Sequence, residues 1–165
     1  GEPGKRGRGS PNKIPFVMAV STTADRKPHQ VVIRCMSFQS EAVRDWANAS
    51  LSADTHAVSD GLPAFRVLRA EIQSHLAIVT GSGRASAQHP EFKWVNIMLG
   101  NLKNALAGTY HAFKFAKYAA RYLADFQYRF NRRYNLRSIL PRLLRAAATT
   151  RPWTEQQLTT AELGT

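Results

Sequence analysis

IPFVMAV, Ile14 to Val20, and QVVIRCM, Gln30 to Met36, are short runs of β-branched and apolar residues on either side of the polar stretch Ser21 to His29. Strand-length apolar runs flanking a polar, proline-bearing turn predict a β-hairpin. Beyond it, Ser40 to Asn48 places Val43, Trp46 and Ala47 at helical spacing behind a Ser cap, and Thr55 to Ser59 reads as a brief strand ending in Asp60-Gly61. Pro63 to Ala70 predicts a short helix with Phe65 and Leu68 inward, Leu76 to Thr80 a further strand, and Gly81 to Pro90 a loop. Two long helices follow. The first, Glu91 to Ala107, has Phe92, Val95, Leu99, Leu102 and Leu106 as its apolar stripe. The second, Ala112 to Tyr134, is expected to bury Phe115, Tyr118, Tyr122, Phe126 and Phe130.

The predicted order is β-β-α-β-α-β-α-α, an α/β layered arrangement in which the later strands enter through crossover helices. A chain of 165 residues with 44% hydrophobic side chains suits one such domain and is too short for two of full size. The expected division is a flexible basic arm over 1–13, a folded domain over 14–140 and a C-terminal tail over 141–165, in which Thr154 to Gln157 can cap one short helix. The longest apolar runs fall far short of the roughly 20 residues a membrane helix needs, so no membrane association is expected. Cys35 is the single cysteine, which excludes an internal disulfide and a cysteine-rich zinc module; it reads as an inert thiol in a core strand. The expected setting is cytoplasmic.

Charge narrows the partner. Lys and Arg number 23 against 11 Asp and Glu, for a net charge of +12. Residues 100–145 alone carry ten basic side chains and one acid, Asp125. A concentrated excess of this kind implies a polyanion. The candidate phosphate contacts are Lys5, Arg6, Arg8 and Lys13 on the arm, with Lys103, Lys114, Lys117, Arg121, Arg129, Arg132 and Arg133 on the helices.

Chemistry has one candidate location. Asp60 stands at the carboxyl end of a predicted strand, the edge at which open α/β sheets bind ligands; the structural alternative is a turn-forming or helix-capping Asp. Asn96 and Lys103 lie seven residues apart on one helix, within about 20° of each other beside the apolar stripe. An Asn oxygen suits a hard cation and a Lys ammonium suits a phosphate, so Asp60, Asn96 and Lys103 have the makings of a Mg²⁺ and phosphate site. His29, His56, His75, His89 and His111 lack paired ligand spacing, predict no zinc site and read as surface or turn residues.

Four segments carry a family resemblance: GKRGRGSPNKIPFVMAV (Gly4 to Val20), SDGLPAF (Ser59 to Phe65), FKWVNIMLGNLKNALAGTYHAF (Phe92 to Phe113) and AKYAARYLADFQYRFNRRYN (Ala116 to Asn135). They resemble the insertion-sequence transposases of the DDE superfamily, in particular the ISXO-like group whose third catalytic position is Asn followed seven residues later by Lys. The resemblance implies a ribonuclease H-like fold, a mixed sheet with flanking helices. It also implies two-Mg²⁺ phosphoryl transfer on DNA, assembly as a homo-oligomer on DNA and a place at the nucleoid. It casts Asp60 as the second catalytic acid and metal ligand, Asn96 as the third position and a second metal ligand, and Lys103 as the trailing Lys. The family's first catalytic Asp lies on a strand just before the basic Gly-Lys-Arg-Gly loop, and this sequence starts inside that loop at Gly1. The expectation is therefore a catalytic domain incomplete at its N-terminus, without its first strand and without the family's zinc-ribbon region.

Three functions follow as alternatives. The first is transposase catalysis, metal-dependent phosphodiester cleavage and strand transfer in the movement of an insertion sequence. The second is a catalytically inactive DNA-binding remnant, because the first acid is absent. The third, a basic RNA-binding or ribosome-associated protein, accounts for the charge but not for Asp60, Asn96 and Lys103.

Overall fold

The structure is a computed structural model that describes residues 13–79, 88–109 and 115–160. Its first elements are the strands β1, Phe16–Thr22, and β2, Pro28–Cys35, paired antiparallel from Phe16 opposite Cys35 to Thr22 opposite Pro28. Thr23 closes the turn: its N–H donates to the Lys27 carbonyl at 2.9 Å, its carbonyl accepts the Arg26 N–H, and its hydroxyl bonds Asp25. Arg26 takes the left-handed conformation this reversal demands, at φ 59°.

Strand periodicity makes the hairpin the middle layer, because neighbouring side chains leave a strand on opposite faces. Val17, Ala19 and Val32 enter a first core cluster, and Phe16, Met18, Val20, Val31, Ile33 and Cys35 enter a second. The first cluster is built on α1, Ser40–Ser50, whose Val43, Trp46 and Ala47 recur at three- and four-residue spacing. A 3₁₀ turn, Pro63–Val67, and the single-turn helix α2, Leu68–Glu71, complete it with Ala64, Leu68 and Ile72. Arg44 and Glu71 pair at 3.1 Å across α1 and α2. Gln39, not the expected Ser40, occupies the N-cap of α1, and Ser40 is its first helical residue.

The remaining strands are β3, His56–Asp60, and β4, Ser74–Ile78, parallel to each other, with Ala57 packed on the first cluster. The strands form two two-stranded sheets, β1 with β2 and β3 with β4. Among the described residues no strand pairs with the second edge of β1 or of β3.

A 3₁₀ turn at Pro90–Phe92 leads into α3, Lys93–Thr109, and the next helix is α4, Phe115–Asn131. Both pack on the hairpin through the second cluster, where the expected Leu102 and Leu106 of α3 and Phe126 and Phe130 of α4 are found, and the expected Phe92 is buried in the turn before α3. In α3 the core residues are Met98 and Leu102, whereas Leu99 is 38% exposed. Met98 stands one position before the expected Leu99 and its thioether is comparably apolar, so packing against β1 decides between them. In α4 the fully buried positions are Ala119 and Leu123, with Phe126 and Phe130 partly buried beside them and Tyr118 and Tyr122 also partly exposed.

Continuing Ala119 and Leu123 at four-residue spacing, Gln127 and Asn131 meet the outer edge of β2. Gln127 Oε1 accepts the Ile33 N–H at 2.7 Å, and Asn131 accepts the Val31 N–H at 2.8 Å while donating to the Val31 carbonyl at 2.9 Å. An edge strand leaves such groups unpaired, and here helical amides satisfy them.

Residues 141–165 were expected as a tail. A 3₁₀ turn, Leu136–Ser138, leads into the helix α5, Ile139–Thr149, whose residues from 141 on are exposed; Pro141 sits in its first turn, where its missing N–H costs nothing. The short α6, Glu155–Thr160, is capped as expected: Thr154 Oγ1 accepts the Gln157 N–H and Gln157 Oε1 accepts the Thr154 N–H at 2.9 Å.

Candidate functional site

Asp60 is the last residue of β3, and its Oδ1 accepts the Leu62 N–H at 3.2 Å, so the turn-forming role is realised on an exposed side chain. Gly61 follows because the β4 end crowds it: a Cβ there would stand 2.4 Å from Val79 Cγ2. Side chains alternate along the β3–β4 pair. Ser59 and His75 lie on its covered face, while Val58 and Leu76 share the more open face with Asp60 and are 40% and 57% exposed.

His75 departs from the expected surface or turn placement. It is a half-buried strand residue whose Nε2 lies 2.8 Å from Ser59 Oγ, next to Asp60 in sequence. Among the described residues its buried Nδ1 has no hydrogen-bond partner. Burial, with a smaller push from the Arg69 charge, lowers the imidazole below its ordinary value and favours the neutral ring. The Cys35 thiol, half-buried as expected for a core strand, is pushed up by burial and is no thiolate nucleophile.

Asn96 and Lys103 both stand on the uninterrupted α3, Asn96 half-buried and Lys103 exposed. Asp60 belongs to the strand pair packed on the first cluster, and α3 to the second. Both hairpin strands reach both clusters; β1, which packs on α3, sends Val17 and Ala19 into the first. Among the described residues no three His, Cys, Asp or Glu side chains converge as a metal cluster. Asp60 and Asn96 offer one carboxylate and one neutral amide, too little negative charge to hold two divalent ions.

The basic residues divide sharply. Lys103, Lys117 and Arg129 are exposed, with Arg129 3.6 Å from Asp125. Lys117 and Arg121 flank the Tyr118 ring, and Arg121 also donates to the Leu158 carbonyl at 3.2 Å. Arg132 lies over Tyr128 at 3.9 Å. Arg133 is structurally committed, donating to the carbonyls of Pro28 at 2.6 Å, His29 at 3.0 Å and Phe130 at 2.8 Å. Lys13 is exposed; Lys5, Arg6, Arg8 and Lys114 lie outside the described residues. Sequence reasoning missed the Gln127, Asn131 and Arg133 contacts with β2, although two amides four residues apart below an Ala-Leu stripe were a readable signal.

A family model matches residues 1–131, most of the chain, and it describes transposases. Its description is ISXO2-like transposase domain, and the chain belongs to that family of insertion-sequence transposases of the DDE type. No curated protein and no solved structure matches the chain. Among the described residues no helix is long and apolar enough to cross a membrane.

Proposed function

We propose that the chain is the catalytic domain of an insertion-sequence transposase, built on a ribonuclease H-like sheet and acting on DNA by phosphodiester cleavage and strand transfer. The observation that carries this reading is the pair of edges on β1 and β3 that have no strand partner among the described residues, with Asp60 at the end of β3, in a chain of this family. A ribonuclease H-like sheet has a strand between them, antiparallel to β1 and parallel to β3. An acid on that strand, beside Asp60, would supply the negative charge that Asp60 and Asn96 lack. Mg²⁺ is the cation such a donor set would take, and Lys103 would meet a phosphate oxygen.

A second reading, DNA binding without catalysis, draws on the described donors themselves, one carboxylate and one amide. The two separate in a strand-transfer assay with Mg²⁺ or Mn²⁺. Metal-dependent joining that disappears in Asp60→Asn supports catalysis; salt-sensitive duplex binding with no joining above background in either protein supports the binding remnant.

A further inference from the structure

We infer that Tyr134 is a stacking platform for an unpaired nucleobase, a subsite that rests on the DNA-binding reading above. Tyr134 is 85% exposed, the most exposed large hydrophobic side chain among the described residues. Its ring is not loose. The Arg133 guanidinium lies 4.3 Å from the Tyr134 centroid and 3.8 Å from that of Phe130, and three carbonyls fix this guanidinium in place. Phe130 in turn stacks on Phe126, the ring planes inclined by 13°. The column Phe126, Phe130, Arg133 and Tyr134 thus grows out of the second core cluster and ends in an aromatic ring presented to solvent.

An anchored ring at a surface offers a π face whose ordering cost has already been met in folding. Charge identifies the occupant. Residues 126–154 carry seven arginines and no acid, so the flat group reaching Tyr134 comes attached to a polyanion. A base inside a duplex hides its faces against its neighbours, so the base that stacks here is an unpaired one, in a tail, a nick or an opened end. DNA and RNA both supply that chemistry.

The test uses the 165-residue chain and oligonucleotides carrying a fluorescent base analogue, placed either in a single-stranded tail beside a duplex or inside a blunt duplex, with an RNA tail as a third arm. The wild type should quench the analogue in the tail and not in the blunt duplex. Tyr134→Phe should keep the quench. Tyr134→Ala should lose it and bind the tailed substrate roughly 5- to 100-fold more weakly, with blunt-duplex affinity unchanged. Equal quenching in the RNA arm would support the platform without sugar selectivity. Unchanged tail binding and quenching in Tyr134→Ala would overturn the platform while leaving DNA binding intact. A wild type that binds no nucleic acid would overturn both. Displacement of bound DNA by polyglutamate, with no base-dependent quench at any stage, would assign the ring to an acidic peptide. Because Tyr134 is exposed, Tyr134→Ala should keep the wild-type circular dichroism and melting temperature.

Discussion

Asn131 holds Val31 by both of its backbone polar groups, accepting its N–H at 2.8 Å and donating to its carbonyl at 2.9 Å, across 100 residues of sequence. The amide does for β2 what a neighbouring strand would do. The hairpin's outer edge is thereby closed by α4, whereas the second edge of β1 has no strand beside it among the described residues.

Removing that clasp should be costly. Asn131→Ala leaves a fully buried residue with an unanswered N–H and carbonyl, and the expected loss is about 2 kcal/mol of stability. Gln127→Ala, which removes one bond, should cost about 1 kcal/mol. Urea unfolding would read both as midpoint shifts at unchanged slope, and a midpoint equal to wild type in Asn131→Ala would remove the clasp from the stability account.

Arg133 and its neighbours should part company by assay. Arg133→Ala should lower the melting temperature, because three strand and helix carbonyls lose their donor. Arg129→Ala and Arg132→Ala should leave the fold intact and each reduce the log–log salt slope of duplex binding by roughly one. Titrations at several salt concentrations, with melting curves alongside, distinguish the two behaviours; a slope unchanged in the double variant would take both residues out of the DNA interface.

Stability should fall on acidification through His75. Its folded value lies below the ordinary 6.5, with burial the first cause and Arg69 the second, so below pH 6.5 the unfolded chain takes up the proton more readily than the native one. The contribution of His75 is complete above that pH and is lost as pH falls toward the depressed folded value. His75→Gln should flatten this part of the stability curve, and an identical pH profile in the variant would show that other groups carry it.

Asn96 should respond to a carboxylate. If it faces the cation held by Asp60, Asn96→Asp tightens Mn²⁺ binding and Asp60→Asn abolishes it, because each added carboxylate attracts a dication and each one lost releases it. Calorimetric titration of the three proteins is the measurement. Equal weak binding in all three would show that Asp60 and Asn96 share no metal.

Much of the local order was readable. The hairpin follows from two apolar runs around a polar turn, α1 from Val43, Trp46 and Ala47, the end of β3 at Asp60 from Asp-Gly, and the α6 cap from Thr154 and Gln157. Each depends on residues within a turn or two of chain, where periodicity and capping act without knowledge of the rest. The family was legible too, from long matched segments, and the family model agrees. Tertiary packing alone chose Met98 over Leu99 for the core, joined Gln127 and Asn131 to β2, and turned Arg133 from a surface cation into a structural one. Side chains of similar hydropathy, or of the same charge, differ only in what lies opposite them, and what lies opposite here is a strand about 100 residues away in sequence.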